Sequence, residues 1–365
     1  MAAVSAVESP RRTGVLTLNE GSSSLKFGFY AAGPDGVEEC TSGEVEGAQP
    51  ADLFDRIDAD LDGARPAAIG HRIVHGGPEL FDPVEIDGSV LARLERATAF
   101  APLHGPAALS LIRAAQARYP DVPQIACFDT GFHKGLEKVA AVLPIPKAFR
   151  ADGVRRYGFH GLSCQSIVHQ LGQDLPDRLI IAHLGSGASI TAVRKGRSID
   201  TSMGLTPSGG IVMASRSGDI DPGLLLYLMR ERGMDAAAIE NMVDRRSGLL
   251  GVSGVSGDLR KLHAAAATNA DAALAIAAFC RSAAKQIAAM MVSLGGADMI
   301  VFTAGIGEND AVVRSTICAD LDWAGVSTDS AATDVRVVVR VLPSQEGAEM
   351  ARAVFALTNS ANGPH

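Results

Sequence analysis

The sequence predicts a two-domain α/β protein, and three observations carry that expectation. At 365 residues the chain exceeds the size at which a single hydrophobic core usually stops growing. Strand-like apolar runs alternate with helix-period segments along its whole length. A strand, small-residue turn, strand unit over residues 14–30 returns over residues 177–202, with Gly185-Ser186 placed as Gly21-Ser22 are, and this echo suggests a duplicated architecture.

In chain order, residues 14–30 read as two strands around a polar turn, and ADLFDRIDADLDG (51–63) has helical apolar spacing. AAIGHRIVHGG reads as a strand stopped by Gly76-Gly77. Residues 88–118 read as a helix in two pieces, broken by Pro102, His104 and Pro106. PQIACFDTGFH (123–133) is a buried strand whose polar end presents Asp129, Thr130 and His133. RRYGFHGLSCQSIVHQL then enters a helix, and the second strand unit is followed by a Gly/Ser/Pro-rich loop and another helix. Residues 264–294 form a long Ala-rich helix suited to a core or a subunit interface. MIVFTAGIGENDAVVRSTI gives a strand, a glycine turn and a helix beginning near Asn309-Asp310; a strand, VRVVVRVLP, and a final helix from about Glu346 complete the chain.

Composition narrows the function. With 47% hydrophobic and 20% charged residues the chain belongs with globular proteins, not disordered or fibrous ones. Five cysteines (40, 127, 164, 280 and 318) contain no CxxC pair, so a reducing, cytoplasmic setting is expected without a disulfide framework or zinc site. MAAVSAVESPRR lacks the apolar core of a signal peptide, and no window approaches a membrane span. A net charge of -8 argues against a broad nucleic-acid footprint and leaves small anions as candidate ligands.

LNEGSSSLK is the first candidate for chemistry. If residues 22–26 are extended, Ser22, Ser24 and Lys26 project from one face while Leu25, Phe27 and Phe29 pack on the other. Two hydroxyls and an ammonium on one face suit a phosphate cradle; a hairpin whose serines satisfy their own turn accounts for the segment equally well. In GHRIVHGG, His71 and His75 share a strand face with Ile73, but no HExxH glutamate follows, so structural histidines are expected there. Arg72 and Val74 share the opposite face and set a guanidinium beside a small apolar wall, as a short carboxylate with an alkyl tail needs. Arg216, on its own segment, reads as solvated or ion-paired with Asp219 or Asp221. TAGIGEN is a glycine turn entering a helix, open to a nucleotide, although neither G-x-G-x-x-G nor the P-loop pattern is present. Asp129 suits a metal ligand, a base or a turn cap.

Taken together, LNEGSSSLK, GHRIVHGG, FAPLHGPA, FDTGFH, RRYGFHGLS, HLGSGAS, DTSMGLTP, SRSGDIDPG, SGVSGDLR and FTAGIGEND resemble the acetate kinase family, in that family's order, from about Val15 to Arg352. The resemblance implies a two-domain, actin-like ATPase (ribonuclease H-like) fold with a duplicated βββαβαβα core and an interdomain cleft. It implies a flexible tail over residues 1–13, an N-terminal domain over 14–148 completed by a C-terminal helix at 346–358, and a C-terminal domain over 149–345 carrying the nucleotide site and the dimer interface. The implied reaction is reversible, Mg²⁺-dependent (or Mn²⁺-dependent) phosphoryl transfer from ATP to acetate, giving ADP and acetyl phosphate, in a homodimer with no nucleic-acid or membrane partner. The rivals are a propionate or butyrate kinase of the same fold, and an actin-like ATPase that phosphorylates no carboxylate; Arg72, Arg216, His160 and Asp129 speak against the latter.

By the same resemblance Asn19, Asp129 and Glu346 lie at the metal, and Ser22, Ser24 and Lys26 near the transferred phosphoryl group. Arg72, Arg216, His160, His104 and Asp129 are catalytic. The acetate methyl group sits among Val74, Leu103, Phe159 and Pro207, with Arg72 on the carboxylate. His183, Gly185, Ser186 and Gly187 meet the phosphates, and Gly305, Ile306, Gly307 and Asn309 the adenosine. Glu20, Ser186, Cys164 and the PSQEGAE surroundings of Glu346 depart from the family pattern, and the chain is trimmed between Lys26 and His71.

Overall fold

The computed structural model describes residues 12–20, 24–46, 50–327 and 336–361. The expected tail, up to residue 11, and Ser22 lie outside the described residues. The chain divides into two compact units, Met1–Gly131 with Gln345–His365, and Phe132–Ser344. The division falls after Gly131, ahead of the expected residue 148, and the packing around it explains why. Phe132 packs against the buried cluster of Cys164, Ile167 and Leu179. His133 bonds the Ser198 hydroxyl and the Phe159 carbonyl, and Arg156 donates to the Ala140 carbonyl.

In the first unit, β1 (Thr13–Glu20), β2 (Ser24–Gly33) and β3 (Gly36–Glu46) form an antiparallel meander. β4 (Ala68–Ile73) runs parallel to β1, the two-residue β5 (Val84–Glu85) lies at the edge, and β6 (Gln124–Phe128) runs parallel to β4. The order across the sheet is β3-β2-β1-β4-β6-β5. Alternation along the strands divides the residues between two faces. Leu16, Leu18, Phe27 and Ile69 pack with Leu53, Phe54 and Ile57 of the helix Pro50–Asp60 and Leu111 and Ala115 of the helix Gly105–Arg118. The helix Gly88–Ala97 joins that layer; Asp87 caps it by accepting from the Val90 N–H. The opposite face carries the helix Glu346–Ala361, which closes on Gly70 of β4, where a Cβ would stand 2.9 Å from Val354 Cγ2.

The second unit repeats this plan. β7 (Arg178–Leu184), β8 (Ala188–Arg194) and β9 (Arg197–Thr201) form the meander, and β10 (Met299–Thr303) and β11 (Val338–Val341) follow in parallel. The order β11-β10-β7-β8-β9 reproduces β6-β4-β1-β2-β3 with the same strand directions, so the echo in the sequence is a repeat of ribonuclease H-like topology. Behind the sheet lies the 25-residue helix Ala270–Leu294, capped by Asn269 and closed by Gly295 at φ 70°. It is the one described helix long and apolar enough to cross a membrane. Its buried stripe through Ala272, Ala275, Phe279, Ala283 and Ile287 has the three-four spacing of a core helix.

Two buried histidines give the fold an acid limit. His71 is sealed under the helical layer with Nε2 on the Gln124 Oε1 at 2.6 Å, and burial lowers its pKa to about 4. Burial lowers His133 likewise, to about 4. The unfolded chain takes up these protons as pH falls through the ordinary value of 6.5, whereas the native rings stay neutral until about 4. The contribution of these two rings is therefore complete above about pH 6.5 and is lost toward pH 4, by on the order of 3 kcal/mol for each ring. Urea unfolding between pH 7 and pH 4 should show this slope, and His71→Gln or His133→Gln should flatten it; an unchanged slope in both variants would remove the assignment.

Candidate active site

In the first unit the functional side chains gather at the carboxyl ends of the parallel strands β1, β4 and β6, the usual place for ligands in such sheets. Asn19 stands at the end of β1, Arg72 near the end of β4, and Asp129 directly after β6, where its N–H donates to the Ile73 carbonyl at 2.9 Å. Arg72 Nε donates to Asp129 Oδ2 at 3.0 Å and Arg72 Nη1 to Asn19 Oδ1 at 3.0 Å. Asn19 Nδ2 donates to Glu346 Oε2 at 2.7 Å, and that oxygen lies 4.0 Å from Arg72 Nε. Burial works to lower the Arg72 pKa, but the charges of Asp129 and Glu346 and the hydrogen bond to Asp129 outweigh it and raise it. The sequence thus brings a fixed guanidinium, two carboxylates and a carboxamide into one network.

Lys26 lies opposite Asn19 in the β1–β2 register and is exposed, and Ser24 opens β2. Glu20 points the other way: strand alternation sets it with Leu18 on the helix-covered face, away from Asn19. Its Oε2 is buried without a partner among the described residues, and burial raises its carboxyl pKa. Val74 and His104 line one small cavity of about 20 Å³ with His75, Thr98, Ala101 and Ala108; Leu103 does not border it. His75 is structural, taking the Gly77 N–H on Nδ1 and stacking on Phe100, and the described residues contain no cluster of three or more His, Cys, Asp or Glu side chains able to hold a metal.

In the second unit the turn between β7 and β8 holds Gly185, Ser186 and Gly187. A Cβ on Gly187 would lie 3.1 Å from His160 Nε2 and 3.3 Å from Arg216 Nη1, so the ring and the guanidinium converge on that turn. His160 takes a left-handed conformation, φ 57°, at the head of the helix Gly161–Leu171, and its ring stacks on His183 at 4.0 Å. His160 Nδ1 bonds the Ser189 hydroxyl at 2.9 Å, and His183 Nδ1 the Ser163 hydroxyl at 2.8 Å. Arg216 Nη1 donates to the Pro207 carbonyl, while Asp219 and Asp221 are engaged on the Gly210 and Gly223 N–H groups. The Phe159 ring is buried. Gly305, Ile306, Gly307 and Asn309 follow β10, but as a short helix, Ala304–Asn309, entered through Ala304 at φ 65°; the expected glycine turn is helical.

The description of the acetokinase family matches residues 51–359. The chain belongs to the acetokinase family. It is 39% identical over 388 residues to an acetate kinase of Nitrobacter hamburgensis, covering 94% of this chain and 96% of that protein. Among solved structures it is similar to a propionate kinase from Francisella tularensis, with a TM-score of 0.85 and 34% identity over 94% of this chain and 99% of the other. It is also similar to the Porphyromonas gingivalis acetate kinase, with a TM-score of 0.80 and 32% identity over 95% and 100%.

Within this family setting, two departures find a place. Cys164 is fully buried with Ile167 and Val193, so it serves the core. Ser186 is exposed, and its carbonyl takes the Ala214 N–H. The residues that sequence reasoning passed over are the hydroxyls behind the two histidines, Ser189 and Ser163, with Ser344 donating to Ser163 and held in turn by Glu308. The serines inside GFHGLS and GSGAS were visible but had no partner in sequence.

Proposed function

We propose that the chain is an acetate kinase, transferring the γ-phosphoryl group of ATP reversibly to acetate. The observation that carries the reading is the convergence of His160 Nε2 and Arg216 Nη1 on the glycine turn at Gly187. In this reaction a carboxylate oxygen attacks the γ-phosphorus as the bond to the β-phosphate oxygen breaks, and ADP leaves with that electron pair. Acetate is already a competent nucleophile, so no side chain needs to remove a proton. The demand on the protein is position and positive charge around the equatorial oxygens. Arg216 and His160 supply hydrogen-bond donors there, Gly185, Ser186 and Gly187 let backbone approach the phosphates, and Arg72 holds the acetate carboxylate beside Val74.

Asp129, Glu346 and Asn19 offer hard oxygen donors, and two carboxylates with a carboxamide suit Mg²⁺ or Mn²⁺ arriving on a nucleotide phosphate. Bound there, the ion would supply positive charge to offset the negative charge of the transferred phosphoryl group. Gly305, Ile306, Gly307 and Asn309 are the adenosine contacts in this reading, and His104 and Lys26 further donors. The helix Pro222–Arg232 buries none of its side chains, and Leu224, Leu226, Tyr227 and Met229 stand exposed on it, which supports a homodimer through the second unit. A cytoplasmic enzyme accords with five unbridged cysteines.

The test is direct: purified protein, Mg-ATP and acetate, propionate or butyrate, with acyl phosphate trapped by hydroxylamine. Acetyl hydroxamate should dominate. Preference for propionate would move the chain to the activity named for the Francisella structure, and no hydroxamate from any acid would sink the kinase reading.

A further inference from the structure

Glu346 opens the C-terminal helix, and the next residue, Gly347, faces Tyr30 of β2. A Cβ on Gly347 would overlap the Tyr30 hydroxyl and stand 3.1 Å from its Cζ; a Cβ on Gly28 would stand 2.7 Å from Tyr30 Cε2. The ring is therefore seated against two glycines, one on its own strand and one in the first turn of the helix. It is 6% exposed, and its hydroxyl donates to Glu39 Oε2 of β3 at 2.9 Å. Two turns further along, the same helix closes on Gly70. Helix propensity alone would favour alanine at position 347, so propensity and the space beneath the helix predict opposite signs for that substitution.

We propose that Tyr30 is a positioning residue for Glu346. Seated against Gly28 and Gly347, it sets how closely the first turn of the C-terminal helix approaches β1 and β4, and so fixes the reach of the Glu346 carboxylate to Asn19 and Arg72. The functional half of the proposal rests on the reading that places Glu346 at the phosphoryl-transfer site. A helix start displaced by about 1 Å moves a reacting constellation enough to cost on the order of 100-fold in rate.

Three variants test it: Gly347→Ala, Tyr30→Phe and the double. Gly347→Ala should lower kcat/KM for acetate by on the order of 10- to 100-fold and raise the Mg²⁺ concentration giving half-maximal rate. It should also lower Tm. In the double variant, removal of the colliding hydroxyl should restore much of the rate, the Mg²⁺ response and the Tm. Overturning results are a Gly347→Ala protein that is fully active or more thermostable, or a double variant no better than the single. Parent protein that forms no acyl hydroxamate would remove the reading of function instead. The Tm cycle still decides the contact: coupled shifts support the seat, and additive shifts overturn it.

Discussion

Arg72→Ala is expected to lower kcat by about 10²–10³-fold and to destabilise the first unit as well. The catalytic loss corresponds to about 3–4 kcal/mol of transition-state stabilisation, the scale of a deleted oxyanion donor. The stability loss has a separate cause. Asp129 is fully buried, and its carboxylate is held by Arg72 Nε while Arg72 Nη1 holds Asn19. Removing one partner of such a pair costs roughly 3–5 kcal/mol, because the remaining charge stays desolvated. The two effects can be separated. Arg72→Ala with Asp129→Asn should recover much of the Tm, since the buried charge is gone, and none of the turnover. Arg72→Lys restores charge without the planar fork and should recover little of either. Near-normal turnover in Arg72→Ala would show that acetate is held elsewhere.

The fold was legible where the pattern was strongly periodic. The buried strands β6, β7 and β10 and the helix Ala270–Leu294 carry near-continuous or three-four apolar runs, which only burial requires. β3 went unread because GVEECTSGEVE is an edge strand with most of its side chains in water, and edge strands are kept polar. The TAGIGEN segment was misread because glycine density signals a turn, whereas Ala304 takes the left-handed step and Gly305 and Gly307 continue as helix. In the site, period-two alternation along β1 already separates Glu20 from Asn19. The seating of Tyr30 on Gly347 was not legible in the sequence. A contact between β2 and the last helix leaves no local pattern, and a single glycine in a helical first turn looks only like a weak propensity.

Arg216→Ala should lose kcat by about 10²–10³-fold while leaving Tm within a few degrees, the reverse balance from Arg72. Arg216 is only part-buried and sits in a loop, where its Nη1 reaches the Pro207 carbonyl. A part-buried loop arginine costs less desolvation than the Arg72–Asp129 pair, so a smaller change in stability than for Arg72→Ala is the expectation. Gly187→Ala supplies an independent reading of the same geometry. The added methyl would press on His160 Nε2 at 3.1 Å and Arg216 Nη1 at 3.3 Å at once, without deleting either donor. His160 cannot retreat freely, since Ser189 holds its Nδ1 and the His183 ring stacks behind it at 4.0 Å. Arg216, the longer and more mobile group, must give way. Gly187→Ala should then lower kcat, and adding Arg216→Ala should cost far less in the Gly187→Ala background than in the parent. Additive losses in that cycle would mean that the two side chains do not serve one phosphoryl group, and the convergence on this turn would lose its catalytic meaning.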